Sequence, residues 1–142
     1  MQVLSSRFGT VEVDPQDIIE MPVGLFGFPD VRRFIIIDQG EDNPFKWLQA
    51  VDDPALAFVI IDPLIFKPDY RVVISKKEVG DLGLVNENEA KVYVIVVITD
   101  NPYDMTANLL GPLIINPKTR KAKQIVLSES EYTTKHYIIS KK

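Results

Sequence analysis

Residues 91–99 read KVYVIVVIT, and every position from Val92 to Ile98 is apolar. Six of those seven side chains are Val or Ile and the other is Tyr, types that favour a pleated backbone over a helix. The run does not alternate between apolar and polar residues, so it predicts a strand covered on both faces. It is far too short to cross a bilayer as a helix.

The same kind of run recurs on both sides of it. RFGTVEV (7–13), RFIIID (33–38), KWLQAV (46–51), AFVIID (57–62) and YRVVIS (70–75) precede it. PLIIN (112–116), KQIVL (123–127) and KHYIIS (135–140) follow, with 10 prolines and 7 glycines punctuating the chain. Strand-length apolar runs at this spacing predict an all-β fold, an antiparallel barrel-like structure or a sandwich. FGTVEV alternates and predicts one solvated face. Only Ser75-Lys76-Lys77-Glu78 has the form of a helix start, a capping box with Val79 and Leu82 facing the core and Gly83 as the stop, enough for one or two turns. Within MTANLLGPLIIN (105–116) two strand pieces are expected, with Gly111-Pro112 at the corner and Leu109, Leu113 and Ile114 in the core. Asn108 is polar in this setting, and either satisfies backbone groups at a bend or faces a partner. No repeat or linker divides the chain, so 1–142 is expected to form a single domain.

Composition narrows the function classes. There is no cysteine, which removes disulfides, thiolate nucleophiles and Cys-based metal sites. The N-terminus lacks a basic segment followed by a long apolar core, so no signal peptide is expected and the chain is placed in the cytoplasm, off the membrane. Residues 1–104 carry 18 acidic and 9 basic side chains, a net of −9, whereas 105–142 carry 2 and 7, a net of +5. An acidic body repels nucleic acid and speeds encounters with basic protein surfaces.

Catalytic machinery is hard to assemble from these residues. His136 is the single histidine, with no recognisable nucleophile or orienting partner, and no second His is present for a zinc site. The acidic pairs at Asp52-Asp53-Pro54, Asp62-Pro63 and Pro68-Asp69 flank prolines, where the carboxylate caps a turn rather than binding a cation. Gly24-Leu25-Phe26-Gly27-Phe28-Pro29 lacks the spacing of a phosphate loop. Its aromatics serve either core packing or a partner. Lys118, Arg120, Lys121 and Lys123 form a basic cluster on a predicted hairpin tip, without the stacking aromatics of single-strand RNA readers.

In order and spacing the segments resemble the FliW family of bacterial flagellar assembly factors over nearly the whole chain. The marks are Pro22 to Phe28 followed by Arg33-Phe34; Pro44-Phe45-Lys46-Trp47-Leu48-Gln49; Asp53-Pro54 with Phe58-Val59; Asp62-Pro63; Asp69-Tyr70; Thr106 to Asn116; Gln124 to Leu127; and Tyr132 through His136. Gly111 stands where the family commonly has alanine, and Lys135 where it commonly has arginine. The resemblance implies a non-enzymatic, barrel-like regulator without cofactor or metal, acting as a monomer. It further implies two partners, flagellin and the RNA-binding translational repressor CsrA, whose antagonism couples flagellin synthesis to export. Direct RNA binding through 118–123 is the alternative. The partner-binding candidates are Leu25, Phe26 and Phe28 in the glycine-rich segment, with Phe45 and Gln49 in the next. Asn108, Leu110 and Pro112 complete the set.

Overall fold

The computed structural model describes residues 1–139, apart from the side chains of Val79 and Glu87. The expected core position of Val79, and Ser140 of the last predicted strand, lie outside the described residues.

The chain opens with a hairpin, β1 (Gln2–Ser5) and β2 (Gly9–Glu12). A second, larger sheet follows. Its strands are β3 (Ile19–Glu20), β4 (Arg33–Asp38), β5 (Lys46–Ala50), β6 (Ala57–Ile61), β7 (Lys91–Val97), β8 (Thr106–Ala107), β9 (Leu113–Ile115), β10 (Ala122–Gln124) and β11 (His136–Tyr137). The spatial order is β10-β9-β7-β6-β5-β4-β3, antiparallel throughout, with β8 beside the far half of β7 and β11 beside β8. The sheet curls until its two edges meet. Glu20 of β3 bridges Lys121, next to β10, and the Glu20 N–H donates to the Arg120 carbonyl at 2.8 Å. One short seam therefore makes the sheet barrel-like, as expected of an all-β chain with so many short runs.

Alternation along each strand sorts side chains between the two sides of the curl. Phe34, Leu48, Ala50, Ile60, Tyr93, Leu113 and Ala122 point inward with Ile19, so every strand of the ring contributes to one interior cluster. Val59, Ile61, Val94 and Val96 point outward and are covered by Tyr70, Leu109 and their neighbours. β7 is thus covered on both faces from Val92 to Val96, as its sequence predicts, while Val97 and Ile98 are exposed beyond that cover.

Helix α1 (Lys76–Asp81) follows Ser75, whose Oγ accepts the Glu78 N–H at 3.2 Å. Leu82 is buried and Gly83 ends the helix at φ +69°. The Glu78 carboxylate does not complete the capping box; it pairs with Lys123 Nζ at 2.7 Å. Five strand expectations change: KQIVL pairs only at Lys123 and Gln124, and of residues 105–110 only Thr106 and Ala107 pair. RFGTVEV contributes a turn and then β2, and its partner Gln2–Ser5 was not among the expected strands. KHYIIS pairs only at His136 and Tyr137. YRVVIS is extended but joins no ladder: Val72 and Ile74 pack onto the outer clusters, so its alternation reports burial rather than pairing.

Candidate partner-binding surface

The glycine-rich segment folds as a tight, anchored turn. The Phe28 N–H donates to the Leu25 carbonyl at 2.8 Å, and Gly27 at the third position has φ +86°, the pattern that glycine permits in a type II turn. Gly24 has φ +66°, and a Cβ there would be driven into the Phe28 carbonyl oxygen and lie 2.7 Å from Pro29 Cα. Leu25 is 2% exposed and anchors the turn in the interior cluster. It is too deep to meet a partner, which corrects its place among the surface candidates. Phe28 rests edge-on against Phe58 at 5.3 Å between centroids. Phe26 at the tip is 56% exposed, and Val23 beside it 58%. A large apolar side chain held outward on a rigid turn is the kind of feature a partner buries.

Behind the turn lies a residue absent from the sequence candidates. Gln124 is 6% exposed; its Oε1 accepts the Phe26 N–H and its Nε2 donates to the Gly111 carbonyl, both at 2.9 Å. The same side chain therefore ties the aromatic turn to the 108–112 segment. A polar residue in a short strand leaves no distinctive mark in sequence, so this bridge becomes visible only in the fold.

Residues 108–112 form a wide bulge. Ala107 lies opposite Val96 and Leu113 opposite Tyr93, so five residues on this side face two of β7. Asn108 N–H donates to Ile95 O, Leu109 and Leu110 N–H to Thr133 O, and Gly111 N–H to Asn108 Oδ1 at 2.9 Å. The carbonyls are equally occupied: Leu109 O accepts from Tyr70 Oη at 2.6 Å, Leu110 O from Leu127, Gly111 O from Gln124 and Pro112 O from Ile125. Burial pushes the Tyr70 phenol well above its ordinary pKa, which keeps it a donor to Leu109. Asn108 thus serves the bend. Leu110 is half-buried, and Pro112 is buried, so Pro112 is not a surface contact.

The remaining two candidates lie elsewhere. Phe45 is half-buried against the outer cluster. Gln49 is 1% exposed, because the 50–56 loop closes over it. Its Nε2 lies 3.1–3.2 Å from the carbonyls of Ala50, Asp53, Pro54 and Leu56, and it positions that loop rather than a partner.

The other sequence signals resolve into structure. Asp53 Oδ1 caps Ala55 N–H and Asp62 Oδ1 caps Leu64 N–H, as proline-flanking aspartates are expected to do. His136 stacks on Phe66, and burial, aided by Lys67, lowers its pKa. Of the basic tip, Lys123 pairs with Glu78 and Asp81, Lys118 with Glu89, and Arg120 donates to Asp17 O. Two of the four charges are thus paired with carboxylates, and Arg120 is tied down by a carbonyl. Among the described residues no group of three or more His, Asp or Glu is arranged to hold a metal, and no helix is long and apolar enough to cross a membrane.

A profile of the FliW protein family matches residues 2–138. The flagellar assembly factor FliW of Thermoanaerobacter pseudethanolicus is 46% identical over 140 residues, covering 98% of this chain and 93% of that one. Its counterpart in Alkaliphilus metalliredigens is 45% identical, covering 98% and 86%. A crystal structure of the flagellar assembly factor FliW superposes with a TM-score of 0.93 at 32% identity, over 100% of this chain and 99% of that one.

Proposed function

The chain belongs to the FliW family of flagellar assembly factors, and from that premise we propose that it is a non-enzymatic, monomeric, cytoplasmic regulator that binds flagellin and CsrA. In this reading the two proteins compete for it, so free flagellin releases it from CsrA or withholds it, and flagellin synthesis follows export. The observation that carries the reading is the Leu25–Phe28 turn. It is built too tightly to be a passive loop, and it holds Phe26 out of the core at 56% exposure. An exposed aromatic on a preorganised backbone loses little entropy when a partner covers it. The acidic body supports a basic partner surface by steering encounter.

Calorimetry with purified flagellin and purified CsrA tests this. Binding of each at micromolar concentration or tighter is expected, and one should displace the other. Phe26→Ala should weaken flagellin binding at least about tenfold, the scale of an interface anchor. No heat with either protein at micromolar concentration sinks the reading. The basic tip gives little support to direct RNA binding, because Lys118 and Lys123 are paired with carboxylates and no stacking aromatic stands within 118–123.

A further inference from the structure

β4 is fully paired on one side only. Its register with β5 runs from Phe34–Ala50 to Asp38–Lys46, whereas β3 reaches no further than Phe34. The Val51 N–H bonds Arg33 O and the Met21 N–H bonds Arg32 O. In an antiparallel ladder this parity turns the backbone groups of odd β4 residues toward β5 and those of even residues toward the β3 side. Phe34 meets Ile19 there. Where Ile36 would meet Asp17, the chain has turned into the Pro15–Asp17 3-10 turn. The main-chain N–H and C=O of Ile36 and of Asp38 have no backbone partner among the described residues.

This open edge is one wall of a groove whose other wall includes Val11, Val13, Asp14 and Asp17. Its surroundings are acidic. Glu12, Asp14, Asp17 and Asp38 line it, against the single guanidinium of Arg120; Arg33, on β4 itself, is paired with Asp52. Three cations reach in: Lys46 to Asp38 at 2.6 Å, the N-terminal ammonium to Glu12 at 3.1 Å, and Arg120 to the Asp17 carbonyl at 3.1 Å. Among the described residues no ion pair engages Asp14, Asp17, Glu41 or Asp42.

An unpaired strand edge accepts another strand, and natural proteins usually blunt such edges. Here like charges on the two copies would oppose pairing with a second copy of this chain, while a basic strand meets complementary charge. We propose that the open edge of β4 takes up an extended, Lys- or Arg-bearing segment of a partner protein as an added strand, through the backbone of Ile36 and Asp38. The inference rests on the reading of this chain as a protein-binding regulator, and it adds where and in what conformation a basic partner docks.

The test uses the full-length, isotope-labelled chain and a capped nine-residue peptide alternating Lys and Val, with a Glu–Val peptide as control. The Ile36 and Asp38 amides should shift and gain at least about tenfold protection from hydrogen exchange with the Lys peptide alone. Asp17→Lys, at an exposed position, should weaken that binding at least about fivefold, and so should a rise in salt. Glu12→Lys, also exposed and in the groove lining, serves the same purpose if the first variant folds poorly. Shifts confined to other residues, equal binding of the Glu peptide, or no response at millimolar peptide would overturn the proposal. Neither flagellin nor CsrA is in the tube, so a silent groove beside intact flagellin binding sinks this inference and leaves the regulator reading standing.

Discussion

The turn at 24–28 and the bulge at 108–112 look alike as sequence: apolar, uncharged and interrupted by glycine. Their backbones treat those side chains in opposite ways. In the turn, positive φ at Gly24 and Gly27 reverses the chain within four residues, which leaves Phe26 with nowhere to pack. In the bulge, every N–H from Asn108 to Gly111 and every carbonyl from Leu109 to Pro112 has a partner, and Leu109 is 0% exposed. Apolar character alone does not separate an exposed tip from a core element. Both backbones are well bonded, but the reversal in the turn lifts Phe26 outward whereas the bulge keeps Leu109 inward.

If that contrast is right, damage to the bulge costs stability and damage to the turn tip costs binding. Leu109→Ala should lower unfolding stability by about 2–5 kcal/mol in denaturant melts, the range for a buried leucine, with flagellin affinity per folded molecule unchanged. Gly24→Ala breaks the contrast from the other side, since it strains the turn's own backbone; a loss of about 1–3 kcal/mol is expected together with weaker flagellin binding. Gln124→Ala probes the link between the two regions. It leaves the Phe26 N–H and the Gly111 carbonyl without their partner, so about 1–3 kcal/mol is lost, and the Phe26 amide should exchange faster. Phe26→Ala should change stability by no more than about 0.5 kcal/mol, as exposed positions do, while sharing none of that tolerance in binding. An equal loss of stability from Phe26→Ala and Leu109→Ala would erase the distinction.

The smallest effect belongs to His136, which pairs with Ala107 just before the bulge begins. Its folded-state pKa is lowered from 6.5 by burial, with Lys67 adding and Asp69 opposing. Folding therefore favours the neutral ring. The associated stability is fully present above the unfolded value and falls as pH drops from there through the folded pKa. With a single histidine, one resonance in an NMR titration reports the site, and its midpoint should lie below 6.5. A midpoint at or above that value contradicts the half-buried placement against Phe66.

Much of the fold was legible from apolar runs and their punctuation, because strand burial writes itself into side-chain type. VYVIVVI predicts a strand covered on both faces, which holds from Val92 to Val96 and fails at Val97 and Ile98, and Leu109, Leu113 and Ile114 lie in the core as expected. What was not legible was pairing. YRVVIS carries the same pattern as a strand because its side chains pack, yet its backbone joins no ladder. Of the candidate residues, Phe26 and Phe28 are exposed, whereas Leu25, Gln49 and Pro112 are buried by the fold. Those residues look available in sequence because nothing local shows what will cover them. For Gln49 the cover is the loop that follows its own strand; Pro112 is held through its carbonyl by Ile125, from further along the chain.

The seam at Glu20 and Lys121 has a consequence for how the molecule is made. It joins the first strand of the ring to its last, across about a hundred residues of chain. On a ribosome, which releases residues in order, β3 is synthesised early and waits without its edge partner until almost the entire chain has emerged. The ring cannot be fastened before Arg120 and Lys121 leave the exit tunnel. A nascent chain stalled just before that point has open borders at β3 and β9, and it presents a surface different from that of the finished protein.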